Sequence, residues 1–221
     1  MKALKKINLV VALMVSSLVV FSQEKQDEKI RKSEEVVREF GGIRENIPAQ
    51  LMQRAQGIVV IPNLINAGLG IGAQRGKGVA MVKKADGSWS NPVFVTLTGG
   101  SIGFQAGVQA IDLVLVFTDG GILPSLEKGE FNLSGSASVA AGPYGRSSSA
   151  GTDTKLDAAV YSYSRSKGLF AGISLNGSKL SVDQDANSAF YKTNGSAAAI
   201  FNSGAIDNGE VASLKAAVKG L

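Results

Sequence analysis

The sequence predicts an α+β domain: a strongly curved antiparallel β-sheet or partly closed barrel, with N-terminal helices and short C-terminal helices. Two observations predict it. All 27 glycines follow Phe40, roughly twice the usual ~7% frequency. So many glycines disfavour a helical bundle and favour short strands, tight turns and close backbone approaches. In addition, two strand-rich blocks flank one wholly apolar run, Leu113 to Phe117, which reads as a central strand buried on both faces.

The elements follow in order. Lys2, Lys5 and Lys6 precede the apolar run Ile7 to Phe21, which is shorter than the roughly 20 residues of a membrane span. Val20-Phe21-Ser22 places small residues before a cut. Residues 1–22 are therefore expected to be a signal peptide, and the mature protein periplasmic or secreted. Losing those lysines lowers the net charge from +5 to +2, which excludes a general nucleic-acid binder. Without cysteine there is no disulfide, so the core alone must hold the exported chain.

Residues 23–45 read as a charged helical arm. Val36, Phe40, Ile43 and Ile47 follow 4-3-4 spacing as a narrow apolar stripe, with Ile30 seven before Val37 and Gly41-Gly42 interrupting it. Such a stripe either packs on the domain or serves as a mobile amphipathic arm at a membrane. Asn46 and Pro48 open a short helix that Gly57 ends. Ile58 to Ile61 is a short strand closed by Pro62. Val79 to Lys83 and Trp89 to Thr98 flank Asp86-Gly87, a hairpin turn signal. Thr118 to Leu126 is turn and short helix. Phe131, Leu133, Ala137 and Val139 alternate with polar residues as a strand buried on one face. Asp157 to Arg165 and Leu169 to Leu175 form another hairpin. Leu180 to Val182 is a strand, Asp183 or Asp185 caps a helix through Tyr191, and Glu210 to Lys219 is the last helix.

The absence of histidine and cysteine removes Ser-His-Asp and Cys-His catalysis, and nearly all zinc, copper and haem sites. No metal or cofactor is expected. Gly68-Leu69-Gly70-Ile71-Gly72-Ala73 matches a dinucleotide fingerprint in letters. No helix is expected to start there to receive a pyrophosphate, so close strand packing is the reading taken. Asp183-Gln184-Asp185-Ala186-Asn187 resembles the opening of a calcium loop, but Ser188 and Asn194 replace its glycine and glutamate. Asp112 and Asp119 bracket the central strand too far apart to act as an acid–base pair.

The basic residues are more informative. Arg75 and Lys77 lie in a Gly-rich turn, Lys83 and Lys84 beside the hairpin turn, Arg146 in a Ser-rich loop, and Arg165 and Lys167 at a second hairpin. Exposed backbone N–H groups with nearby cations suit phosphate. The alternative is a solvated rim that keeps strand edges from pairing.

The chain resembles the SYLF family. The resemblance rests on Arg54-Ala55-Gln56-Gly57-Ile58-Val59-Val60-Ile61-Pro62, Gly76-Lys77-Gly78-Val79 and Asp86-Gly87-Ser88-Trp89-Ser90-Asn91-Pro92. Later come Gly103-Phe104-Gln105-Ala106-Gly107, Ser138 to Arg146 and Tyr161-Ser162-Tyr163-Ser164-Arg165-Ser166-Lys167-Gly168-Leu169-Phe170. The resemblance implies that residues 46–221 form a lipid-binding domain without enzymatic activity. Eukaryotic members bind phosphoinositides and some bind actin, whereas bacterial members are commonly exported. For this chain the implied ligand is a generic anionic phospholipid or phosphate headgroup at a membrane surface, with the seven cations named above as the site. The rival expectations are an envelope scaffold with a protein partner and a carboxylate-dependent hydrolase using Asp112.

Overall fold

The computed structural model describes residues 23–42, 47–120, 123–133, 139–142, 158–166, 169–170, 173, 175 and 177–221. Residues 1–22, on which the signal-peptide expectation falls, and the segments carrying Arg146 and Lys167 lie outside the described residues.

Helix α1 covers residues 23–42. Its stripe of Ile30, Val36, Val37 and Phe40 is buried, each at most 5% exposed, and so are Gln26 and Ser33 on the same face. Of the two arrangements the stripe allowed, the packed one is found. The outer face carries i,i+4 ion pairs, Arg31–Glu35, Lys32–Glu28 and Arg38–Glu34, each worth a few tenths of a kcal/mol. Helix α2 (Ala49–Arg54) follows Pro48 and buries Leu51 and Met52.

The sheet is built on two long strands, β1 (Gly57–Val82) and β2 (Val93–Phe117), paired antiparallel from Gly57↔Phe117 to Ala80↔Val93. The Asp86-Gly87 turn joins them, with Gly87 at φ 80°. Here the strand expectations need correcting. Pro62 does not close a strand. Pro62 and Asn63 form a bulge between Ile61 and Leu64, Asn63 takes φ 51°, and its N–H donates to Asp112 Oδ1 at 2.9 Å. A bulge absorbs the proline without ending the ladder.

β1 also doubles back. The Lys83 N–H donates to Gln56 O at 2.9 Å, and Gly78 lies against Val60 and Gly76 against Leu64. Its two halves therefore face each other, running in opposite directions. A Cβ on Gly78 would stand 1.9 Å from the Val60 carbonyl oxygen, so only glycine permits this crossing. Folding the strand pair on itself gives a curved sheet.

The other strands add to the two halves of β2. β7 (Lys179–Val182) pairs with Val95–Thr98 and carries β3 (Glu130–Asn132) at one edge. β5 (Val160–Ser166) pairs with Asp112–Phe117 and carries β4 (Val139–Ala141) and β6 (Leu169–Phe170). The order is β3-β7-β2-β5-β4, with β1 on β2 and β6 on β5. The edges β3 and β4 do not pair, so the barrel does not close. Leu113–Phe117 is central and buried on both faces, as expected. The Phe131–Val139 run is a second correction: it is not one antiparallel strand. Its ends lie at opposite edges of the sheet, and β4 joins β5 in parallel. Local alternation defines a strand's two faces but not its partner.

The core has two clusters, one on each face of the sheet. One gathers Val60, Phe94, Val114, Tyr161 and Tyr163 with α1, α2, α4 (Gln184–Tyr191) and α6 (Gly209–Lys219). The other joins Val59, Leu97, Leu115, Phe117, Phe131 and Leu180 with α3 (Leu123–Glu127) and α5 (Ala197–Asn202). α5 is an element the sequence reading missed; Ser196, whose Oγ accepts from Ala199 N–H, was its start signal.

Candidate anion-binding face

The helix-covered face of the sheet is roofed only in part. Facing residues on paired strands share a side, so the register gives rows across it. Val79 and Phe94 form the first row and are buried. Lys77, Thr96, Ser181 and Glu130 form the next, and Arg75, Thr98, Lys179 and Asn132 the one after. Roofing fails between the first and second rows, so hydroxyls and cations reach solvent. Arg75 and Lys179 flank Thr98 on either side, about 10 Å apart at two strand spacings.

Charge partners differ along these rows. Lys77 Nζ donates to Asp183 Oδ2 at 2.6 Å, and Lys179 pairs with Glu130. Arg75 is exposed and has no ion pair among the described residues. Lys29 of α1 hangs over the same rim, its ammonium 5.4 Å from the Phe94 ring centroid. Burial, then the neighbouring Lys77, lowers the Lys29 pKa, and Asp183 only partly offsets this. Burial alone would raise the Asp183 carboxyl, but the Lys77 ammonium and the Ala186 N–H outweigh it and hold the group below the ordinary aspartate value.

Asp183 is also the N-cap of α4, accepting from Ala186 N–H at 3.2 Å, so the cap reading of the Asp-rich stretch holds. Asn187 docks that helix on β2. Its Oδ1 accepts from Phe94 N–H at 2.9 Å, and its amide donates to Phe94 O at 3.0 Å. It stands where β7 ends, and so completes the ladder with a side chain.

The remaining basic residues lie elsewhere. Lys83 Nζ donates to the carbonyls of Met52 and Gln53, each at 3.3 Å, at the C-terminal end of α2. Lys84 Nζ donates to Ser203 O at 3.0 Å. Beside it Lys215 donates to Asn91 Oδ1 at 2.7 Å, and burial followed by Lys84 lowers its pKa. Arg165 is stacked on Phe40 at 5.5 Å and bonded to Glu39 Oε2 at 3.1 Å, with its side chain 12% exposed. Glu39 lies ten residues along α1 from Lys29, about 15 Å. Arg75 and Lys77 are therefore brought together, Arg165 stands at the opposite end of the helix, and Lys83 and Lys84 flank the hairpin turn. Sequence reasoning missed Lys29, Thr96, Thr98, Lys179 and Ser181. Thr96-Leu97-Thr98 and Lys179-Leu180-Ser181 carried the signal, an alternation with polar residues on one face.

Among the described residues no group of three carboxylates could hold a metal ion. Asp112 Oδ1 accepts from the Asn63 N–H at the bulge. The face offers charge-assisted donors and hydroxyls, which bind anions.

A family model described as Ysc84, Las17-binding protein actin regulator, matches residues 98–221. Among curated proteins, SH3 domain-containing YSC84-like protein 1 of Rattus norvegicus is 34% identical over 168 residues, covering 73% of this chain and 49% of the relative. LAS seventeen-binding protein 3 of Saccharomyces cerevisiae is 35% identical over 176 residues, covering 78% and 38%. Protein YSC84 of the same yeast is 34% identical over 176 residues, covering 78% and 37%. The chain thus spans less than half the length of these relatives.

Proposed function

Because the chain belongs to the Ysc84 (SYLF) family, we propose that it is a non-catalytic exported protein that binds anionic lipid or phosphate headgroups at the cell envelope. The observation that carries this reading is the row Arg75–Thr98–Lys179 on an unroofed sheet face, with Arg75 exposed and unpaired among the described residues. Arg75 meets the phosphate directly. Lys77, Lys179 and Lys29 raise the local potential, and the threonine and serine hydroxyls add donors. An exposed cation near an anionic surface contributes about 1 kcal/mol. Arg165, Lys83 and Lys84 hold elements together in this reading, and Arg146 and Lys167 remain candidates.

The test is co-sedimentation with neutral and anionic vesicles across a salt series. Binding is expected on anionic vesicles and falls with salt. Replacing Arg75 and Lys179 by Gln lowers affinity ~30-fold, about 2 kcal/mol, with the unfolding midpoint little changed. Unchanged affinity in that double variant removes this face from the model.

A second reading comes from the relatives' names. The family model is described as a Las17-binding protein and one relative is called LAS seventeen-binding protein 3, so a protein partner is the alternative. A complex that survives high salt and carries no lipid favours it.

A further inference from the structure

Leu64 and Gly76 of β1 lie against each other, with a Cβ on Gly76 falling 3.0 Å from Leu64 Cα. Residues 65–75 are therefore an excursion that leaves the sheet and returns to the same place. β2 follows it in antiparallel register from Ile65↔Ala110 to Arg75↔Thr98. The register shifts between Leu69 and Gly70, at the midpoint, where the bulged ribbon turns back. Half the excursion at 3.3 Å per residue reaches about 18 Å. No charged residue occurs in 64–74 or in 99–111. Ile65 and Val108 are 43% and 72% exposed, and they are the large hydrophobic side chains left exposed among the described residues. Ile65 faces Ala110 and Ala67 faces Val108, so the two are diagonal neighbours on one ribbon face. Arg75, where the ribbon rejoins the sheet, stands in the cationic rows.

We propose that this bent β-ribbon docks at the headgroup–acyl boundary of an anionic bilayer, with Ile65 and Val108 against acyl chains, Arg75 on a phosphate, and Lys77 and Lys179 raising the potential beside it. Charge complementarity selects this occupant: an uncharged ribbon that exposes Ile65 and Val108 and ends in a cationic rim matches an interface that is apolar beneath and anionic above. Insertion is shallow. A two-stranded ribbon has unpaired backbone groups along its edges, which the hydrocarbon interior does not tolerate. The proposal rests on the headgroup reading and adds the apolar contact to it.

The experiment places a tryptophan at Val108 (Val108→Trp) in the protein as recovered from expressing cells, with Trp89, 8% exposed, as internal reference. On anionic phosphatidylglycerol/phosphatidylcholine vesicles the new fluorescence shifts to the blue. Lipids brominated near the top of the acyl chain quench it more than lipids brominated deep in the chain. A parallel Val108→Ser variant, which adds no charge at a site already open to water, lowers vesicle affinity severalfold with the salt slope unchanged. Salt-sensitive binding without quenching, and with Val108→Ser binding as the parent does, overturns the ribbon and leaves the headgroup reading standing. No binding of the parent protein to anionic vesicles at low salt overturns both.

Discussion

The two ends of the roof formed by α1 are built from the same materials and have opposite fates. At one end Arg165, which faces Asp112 across β5 and β2, is covered by Phe40 and Glu39. At the other end Lys77 and Arg75 occupy the equivalent rim of the second half-sheet. There Lys77 meets Asp183, and Arg75 meets no carboxylate among the described residues. A cation in a Gly-rich or hairpin segment is therefore not a binding residue by its type. What lies above it decides. A cation with an aromatic plane and a carboxylate over it serves the fold, and one left at the open edge can meet a ligand.

The largest break in this comparison is Phe40→Ala. Phe40 is 1% exposed, meets Tyr163 edge-to-face at 6.5 Å and floors Arg165. Its loss is expected to cost about 3–5 kcal/mol, read by urea unfolding. A cost below 1 kcal/mol would show that the roof is loose at this end too. Next is Gly78→Ala, which drives a Cβ into the Val60 carbonyl. Backbone cannot swing aside as a flexible side chain can, so a loss near 3 kcal/mol is expected. A variant of parent stability would mean that the β1 crossing is not tight.

The smallest effect sharpens the open end. The Asp183 carboxyl is held below its ordinary value in the folded state. Its contribution is therefore present above the unfolded pKa, near 4. It is lost as pH falls through the lower folded value. Stability measured from pH 6 to pH 2 should decline in that window, and Asp183→Asn should remove part of the decline. The half-exposed Lys77 brings solvent to the bridge, which keeps the effect modest. An identical pH profile in the variant would mean that the Lys77 bridge contributes nothing.

Several features were legible before folding because they are local. The Asp86-Gly87 turn needs a positive φ, the Asp183 cap needs only its own helix, and the continuous run Leu113 to Phe117 announces burial on both faces. Where the reading failed, the missing information was distant. Pro62 looked like a terminator because its bulge is held by Asp112, 50 positions on. Phe131 to Val139 looked like one strand because alternation is blind to sheet order. Arg75 and Lys77 were expected in a Gly-rich turn but lie within β1, because Gly76 and Gly78 serve a close approach to the distant half of the same strand. The candidate site was half legible: Arg75 and Lys77 stood out beside glycines, whereas Lys179 and Thr98 became its members only through the register.

By itself the sequence determined the α+β class, the absence of histidine and cysteine chemistry, and the family, because composition and ordered motifs survive without coordinates. The tertiary structure alone decided which cations are roofed and which are open. Exposure depends on the helix laid over a strand, and α1 spans both rims because β1 folds back on itself and brings them beneath it.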